Sequence, residues 1–265
     1  MNQQEPQFTE VGQGPKRRRI AYRFEDRGGE NSVVLVWLSG FLSDMAGTKV
    51  TALGDWARRE GHAMLSFDYS GHGLSDGTLL EATIGDWLEE ATAILDLIGA
   101  RPVVFVGSSM GGWIALLVAR SLAQRGDTRL AGLVLIAPAW DMTETLMWAE
   151  ALPEQRAAVE REGVFYAPSN YTEPYPITRQ LIEEGRNHLV GESIEVGAPV
   201  RILQGMRDPD VPWRHALSLV DRIAGGDVEL TLIKDAAHRL SEPEDLRRLE
   251  HAIDALIGAI RIRTA

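Results

Sequence analysis

The sequence predicts an α/β fold: a mostly parallel, doubly wound sheet carrying an inserted, mainly helical cap. Three observations lead there. Short apolar runs alternate with amphipathic stretches of helical period along most of the chain, which is the pattern of repeated βαβ units. Those runs are nearly continuous in hydrophobicity, as in strands buried on both faces of a parallel sheet. Between Pro138 and Pro199 the rhythm stops and no core strand is evident, and a structureless loop of that length is improbable inside a compact domain.

The elements follow in order. Residues 1–15 are polar, lack an apolar h-region and carry Glu5 and Glu10, unlike a secretory signal or an acid-poor transit peptide. They read as a flexible N-terminal segment. The basic run Lys16-Arg17-Arg18-Arg19 reads as a solvated lead into a strand at 20–24. From residue 16 to 265 a single domain is expected. Its core strands are expected at 33–38, 63–67, 103–106, 133–136, 200–203 and 228–233, and its helices at 48–60, 83–98, 112–125, 213–224 and 243–260. Thr83 suits a helix N-cap, with Asp86 three residues on as a loose capping box. Pro243 and Glu244 suit a first helical turn, where a missing N–H and a negative charge both help. The cap insertion, about 139–198, holds helical stretches at 141–149, 153–162 and 177–188 and a Pro/Tyr-rich piece at 166–176.

Composition narrows the function. The chain has 265 residues, 27 Lys plus Arg against 38 Asp plus Glu, a net charge of −11 and no cysteine. An acidic chain repels phosphate backbones, so nucleic-acid binding is not expected. Zero cysteine removes thiolate metal sites, Fe–S clusters and cysteine nucleophiles together. No apolar stretch has the length of a membrane span, no His/Asp/Glu cluster has metal-ligand spacing, and no cofactor is expected. Asp68-Tyr69-Ser70-Gly71-His72-Gly73-Leu74-Ser75 is Gly-rich but lacks the phosphate-loop Gly-x-x-x-x-Gly-Lys pattern, and reads as a structural turn.

The sharpest feature is Gly107-Ser108-Ser109-Met110-Gly111, directly after one expected strand and opening a helix. A strand that turns abruptly into a helix needs small residues on both sides of the turn, and the turn lifts Ser109 Oγ clear of the sheet at a helix N-terminus. Serine needs a base and an orienting acid, which follow in the order Ser, acid, His in this architecture. Of the six histidines only His238 lies in the loop after the last core strand. Asp208, after the strand at 200–203, is the preferred acid; neighbouring Asp210 reads better as a helix cap, and Asp141 is a second candidate. For an oxyanion hole the N–H of Met110 is one donor and that of Phe41, in Ser39-Gly40-Phe41-Leu42-Ser43, the other. Trp140, Met142, Leu146 and Met147 in the cap line an apolar acyl pocket or glue the cap to the core.

With these residues in place the chain resembles the α/β-hydrolase superfamily from about 20 to 260, and within it the palmitoyl-protein thioesterases. The likeness rests on Gly40-Phe41-Leu42-Ser43, Gly47-Thr48-Lys49, Phe67-Asp68-Tyr69-Ser70-Gly71, Val106 to Trp113, Gly205-Met206-Arg207-Asp208, Val211-Pro212-Trp213, and Asp235 with His238-Arg239. It implies Ser109, Asp208 and His238 as a triad, and S-depalmitoylation or acyl-ester hydrolysis as activity. The substrate would be a small ester or thioester, or an acylated protein. The N-terminus lacks a recognisable mitochondrial presequence, so a cytoplasmic bacterial relative is expected. C–C bond or peptide-type hydrolysis by the same triad, and a silent ligand receptor on this fold, stay open as alternatives.

Overall fold

In the computed structural model of the chain, the described residues are 5–29, 32–168 and 173–264. The chain opens with β1 (Gln7–Val11), β2 (Arg18–Glu25) and β3 (Val34–Leu38), then α1 (Thr48–Glu60) and β4 (Ala63–Phe67). Next come α2 (Ile84–Ala93), β5 (Val103–Ser108), α3 (Met110–Gln124) and β6 (Leu130–Ile136). The segment after β6 holds a π-helical turn at Thr143–Trp148, α4 (Pro153–Glu162), the strands β7 (Val164–Ala167) and β8 (Tyr175–Thr178), α5 (Arg179–Gly185) and the short β9 (Ile194–Glu195). The chain ends with β10 (Val200–Gly205), α6 (Trp213–Arg222), β11 (Ile223–Ala224), β12 (Val228–Ile233) and α7 (Pro243–Thr264).

Eight strands form one sheet in the order β1-β2-β4-β3-β5-β6-β10-β12. From β4 to β12 every neighbouring pair is parallel, while β2 is antiparallel to β4 and β1 to β2. The continuous apolar runs are explained by two covered faces. Val34, Val36 and Leu38 of β3 face one core layer with Ile84 and Trp87 of α2 and Ile114 and Leu117 of α3. Leu35 and Trp37 face the other, with Val50, Leu53 and Trp56 of α1 and Ile253 and Leu256 of α7. The strand order reverses at β3: the chain leaves it toward β4 and returns on its other side as β5. Loops from the carboxyl ends of β3 and β5 therefore diverge and leave a crevice at this switch point.

Several expectations are corrected. Residues 7–11, read as part of a flexible lead, pair residue by residue with Arg18–Tyr22 of β2 and cover that sheet edge, with Val11 buried. The apolar Phe8 and Val11 carry this strand, but a single short edge strand leaves little period to read. Residues 1–4 lie outside the described residues. The basic run is not merely solvated: Lys16 pairs with Asp86, Arg17 with Glu10, Arg18 with Glu89 and Glu90, and Arg19 with Asp76. The insertion contains the antiparallel hairpin β7–β8, which the Pro/Tyr-rich composition concealed, and so the helix expected from residue 177 begins at Arg179. The helix expected at 83–98 tightens to 3-10 geometry over Ile94–Ile98. Thr83 does cap α2, accepting the Asp86 N–H at 3.2 Å.

Candidate active site

The turn between β5 and α3 holds Ser109 in a conformation few L-residues adopt, φ 54° and ψ −118°. Side chains of ordinary size cost free energy there, so the surroundings must enforce it. Ser109 N–H donates to Ile136 O at 2.8 Å, and its own carbonyl accepts from Gly112 N–H at 2.9 Å and Ala139 N–H at 3.1 Å. The flanking glycines are required by contact: a Cβ on Gly107 would collide with the Gly111 carbonyl, and one on Gly111 with the Leu38 carbonyl. Met110 is the first residue of α3, where a backbone N–H has no partner within the helix. Across the switch point, a Cβ built on Gly40 would lie 3.3 Å from Ser109 Cβ. The Phe41 loop is thus beside the serine.

Asp208 and His238 come from the loops after β10 and β12. His238 Nδ1 lies 2.8 Å from Asp208 Oδ2. A carboxylate only accepts, so Nδ1 carries the proton and Nε2 keeps its lone pair. The carboxylate is fully tied. Oδ1 accepts from Asp210 N–H at 2.9 Å and Val211 N–H at 2.8 Å, and Oδ2 also accepts from Gln204 Nε2 at 3.1 Å. The pair joins the loop after β10 to the loop after its neighbour, the edge strand β12. No hydrogen bond joins Ser109 Oγ to His238 among the described residues; such contacts often tighten only around substrate. The histidine loop is anchored by Arg207 N–H to Ala236 O at 3.0 Å and by Lys49 Nζ to Arg239 O at 2.6 Å. Burial lowers the Lys49 ammonium to about 8.

Sequence reasoning missed Gln204, a fully buried amide at the end of β10. Its Nε2 also lies 3.0 Å from the carbonyls of Gly205 and Val211. A polar residue directly after the apolar pair Ile202-Leu203 was the available signal. Asp210 is not the cap of α6, whose N-cap is Pro212. Instead ligand atoms of Asp208, Asp210 and His238 lie within 4.8 Å of one another, a grouping that chain spacing concealed. The His238–Asp208 bond and the three N–H donors on Asp208 already account for that carboxylate. The second acid candidate, Asp141, accepts the Val190 N–H at 2.8 Å, tying the two ends of the insertion together. Burial raises its carboxyl to about 6.

The four apolar cap residues separate. Trp140 and Met142 are buried. Trp140 stacks on His215 at 4.5 Å and donates from Nε1 to the His215 carbonyl at 2.9 Å, so it fastens the insertion to α6. Leu146 and Met147 are half-buried against the same core layer. The hairpin contributes Tyr175, whose ring meets Phe41 edge-on at 5.5 Å. A hollow of about 570 Å³ lined by Leu80, Arg161, Thr178 and Arg179 among others does not include Ser109, Asp208 or His238.

A family described as "Serine aminopeptidase, S33" matches residues 29–181. The chain is 37% identical over 230 residues to "Palmitoyl-protein thioesterase ABHD10, mitochondrial" of Bos taurus, spanning 85% of this chain and 73% of that one. Among solved structures, a protein of Agrobacterium vitis S4 described as a hydrolase superposes with a TM-score of 0.92 at 44% identity, covering 96% of this chain and 98% of the other. Mouse alpha/beta hydrolase domain-containing protein 10 superposes with a TM-score of 0.83 at 32% identity, covering 96% and 99%. With the sheet order and the turn at Ser109, these likenesses mean that the chain belongs to the α/β-hydrolase family.

Proposed function

We propose that the protein hydrolyses carboxylic esters or thioesters of apolar acyl groups through an acyl-enzyme on Ser109. The observation that carries this reading is the His238–Asp208 pair at 2.8 Å, on loops of the same sheet whose switch point holds Ser109 at positive φ. His238 Nε2 takes the Ser109 Oγ proton as Oγ attacks the acyl carbon. The oxyanion is met by the N–H groups of Phe41 and Met110. Collapse breaks the bond to the leaving alcohol or thiol, which receives the proton from His238. Water, deprotonated by the same nitrogen, then attacks the acyl-enzyme, releasing the acid and restoring Ser109. Asp208 keeps Nδ1 protonated and stabilises the imidazolium.

The half-buried Leu146 and Met147 are the cap residues we assign to the acyl chain; they pack against the core layer that contains Trp140 and Met142. The likeness to a palmitoyl-protein thioesterase over 85% of the chain supports a long acyl group and an acylated protein as substrate. The test is a series of p-nitrophenyl esters and acyl-thioester peptides of increasing chain length. Turnover is expected to rise with chain length and to fall by about 10⁴-fold or more in Ser109→Ala. Residual turnover in Ser109→Ala near the wild-type rate would refute the reading, and a preference for peptide bonds would move it to the aminopeptidase-like alternative.

A further inference from the structure

The Gly-rich turn after β4 has no place in the reaction as described so far, yet one of its side chains reaches the oxyanion loop. Gly40 to Ser43 form a tight turn closed by Ser43 N–H to Gly40 O at 3.1 Å. Its third residue, Leu42, has φ 60°, the sign that a type II turn requires there and that favours glycine. A leucine keeps that conformation only if something outside the turn holds it. The Leu42 N–H donates to His72 Nε2 at 3.1 Å.

The histidine is itself fixed. Its Nδ1 lies 3.1 Å from the Ser70 carbonyl, which also accepts from Trp87 Nε1 at 3.1 Å. A carbonyl cannot donate, so Nδ1 carries the proton and Nε2 presents the lone pair. Ser70 N–H in turn donates to the buried Glu90 at 2.9 Å. The His72 ring is walled by Trp87 at 5.4 Å, Phe41 at 6.0 Å and Tyr69 at 6.1 Å. Burial lowers the basicity of this imidazole and keeps the accepting nitrogen unprotonated.

We propose that His72 is a positioning residue of the oxyanion hole: its Nε2 holds the Leu42 N–H and so aims the preceding Phe41 N–H at the reacting carbonyl. The inference rests on the acyl-enzyme reading. Its effect belongs to the transition state, because the oxyanion forms only there. Substrate affinity should be nearly untouched.

The experiment compares His72→Phe, which keeps a ring among the aromatic walls but has no acceptor, with His72→Gln, whose amide can accept from Leu42 and donate to Ser70. Each variant is assayed for kcat and KM on a p-nitrophenyl ester and for affinity toward a trifluoromethyl ketone, which adds to the serine and forms an oxyanion. His72→Phe should lose about 10–100-fold in kcat and a similar factor in ketone affinity, with KM within about twofold. His72→Gln should recover most of both. Should His72→Phe fail to fold, His72→Leu serves as the acceptor-free variant. An acceptor-free variant within twofold of wild type, or a glutamine variant as slow as the acceptor-free one, overturns the proposal. Ser109→Ala is run alongside: if it still turns over, the acyl-enzyme reading fails, whereas an inactive Ser109→Ala beside an undiminished His72→Phe refutes only the role of His72.

Discussion

Gln204 illustrates how a buried amide can organise the Asp208–His238 hydrogen bond. It donates to the same Asp208 oxygen that receives His238 and spans to the Val211 carbonyl at the mouth of α6. Gln204→Leu fills similar volume but leaves buried acceptors unpaired, which costs about 1–3 kcal/mol. A thermal melt should show that loss, and kcat should fall about tenfold as the carboxylate gains freedom. Ser109, Asp208 and His238 were chosen from the sequence by their places after three core strands in chain order, and the structure brings Asp208 and His238 within 2.8 Å. Gln204 and His72 were not. Most of their partners are backbone groups, and no spacing along the chain encodes a hydrogen bond to a carbonyl or an N–H.

The strand-to-helix turn and the insertion are the elements where local geometry does most for the site. Gly111→Ala would drive a methyl group into the Leu38 carbonyl, so the crossing of α3 over β3 must shift. A loss of about 3 kcal/mol or more is expected, with low activity in whatever folds; wild-type denaturant midpoints would contradict it. Asp141 governs the insertion through Val190 N–H, while Arg120 Nη1 donates to the Leu189 carbonyl at 3.0 Å and Arg222 Nη1 to that of Gly191. Burial raises its carboxyl to about 6 in the fold, from an ordinary 3.8. The folded state therefore binds the proton more tightly than the unfolded chain. Stability falls as pH rises from about 4 to 6, and the full penalty persists above that window. Asp141→Asn keeps an acceptor for Val190 without the charge. It should be more stable than wild type at pH 8 by up to about 3 kcal/mol, with the difference vanishing near pH 4. A pH-independent difference between the two melts would exclude this account. The insertion was legible as an interruption, and α4 matched its period, but the hairpin did not. Four-residue strands carrying Pro and Tyr give too short an alternation to separate from a loop.

At the scale of the whole molecule, charge and sheet edges decide what the surface offers. The basic run near the N-terminus is spent on internal ion pairs with β1, α2 and the turn after β4. Among the described residues no helix is long and apolar enough to cross a membrane. The buried central strands were readable because hydrophobicity on both faces leaves an unmistakable run; the edge strand β1, half exposed, did not. Deleting residues 1–12 removes β1 and uncovers β2. The melting temperature should drop by roughly 5–10 °C, while turnover at assay temperature stays near wild type, since the proposed site lies on loops after β3, β5, β10 and β12. An unshifted melt would mean that β1 adds nothing to the sheet. We propose that the sheet converges on one activated serine, and a fluorophosphonate tests this directly. After treatment, peptide mapping by mass spectrometry should place a single stoichiometric adduct on Ser109, absent in Ser109→Ala and formed about 10²-fold or more slowly in His238→Ala. An adduct on another residue, or an unchanged labelling rate in His238→Ala, would contradict the account.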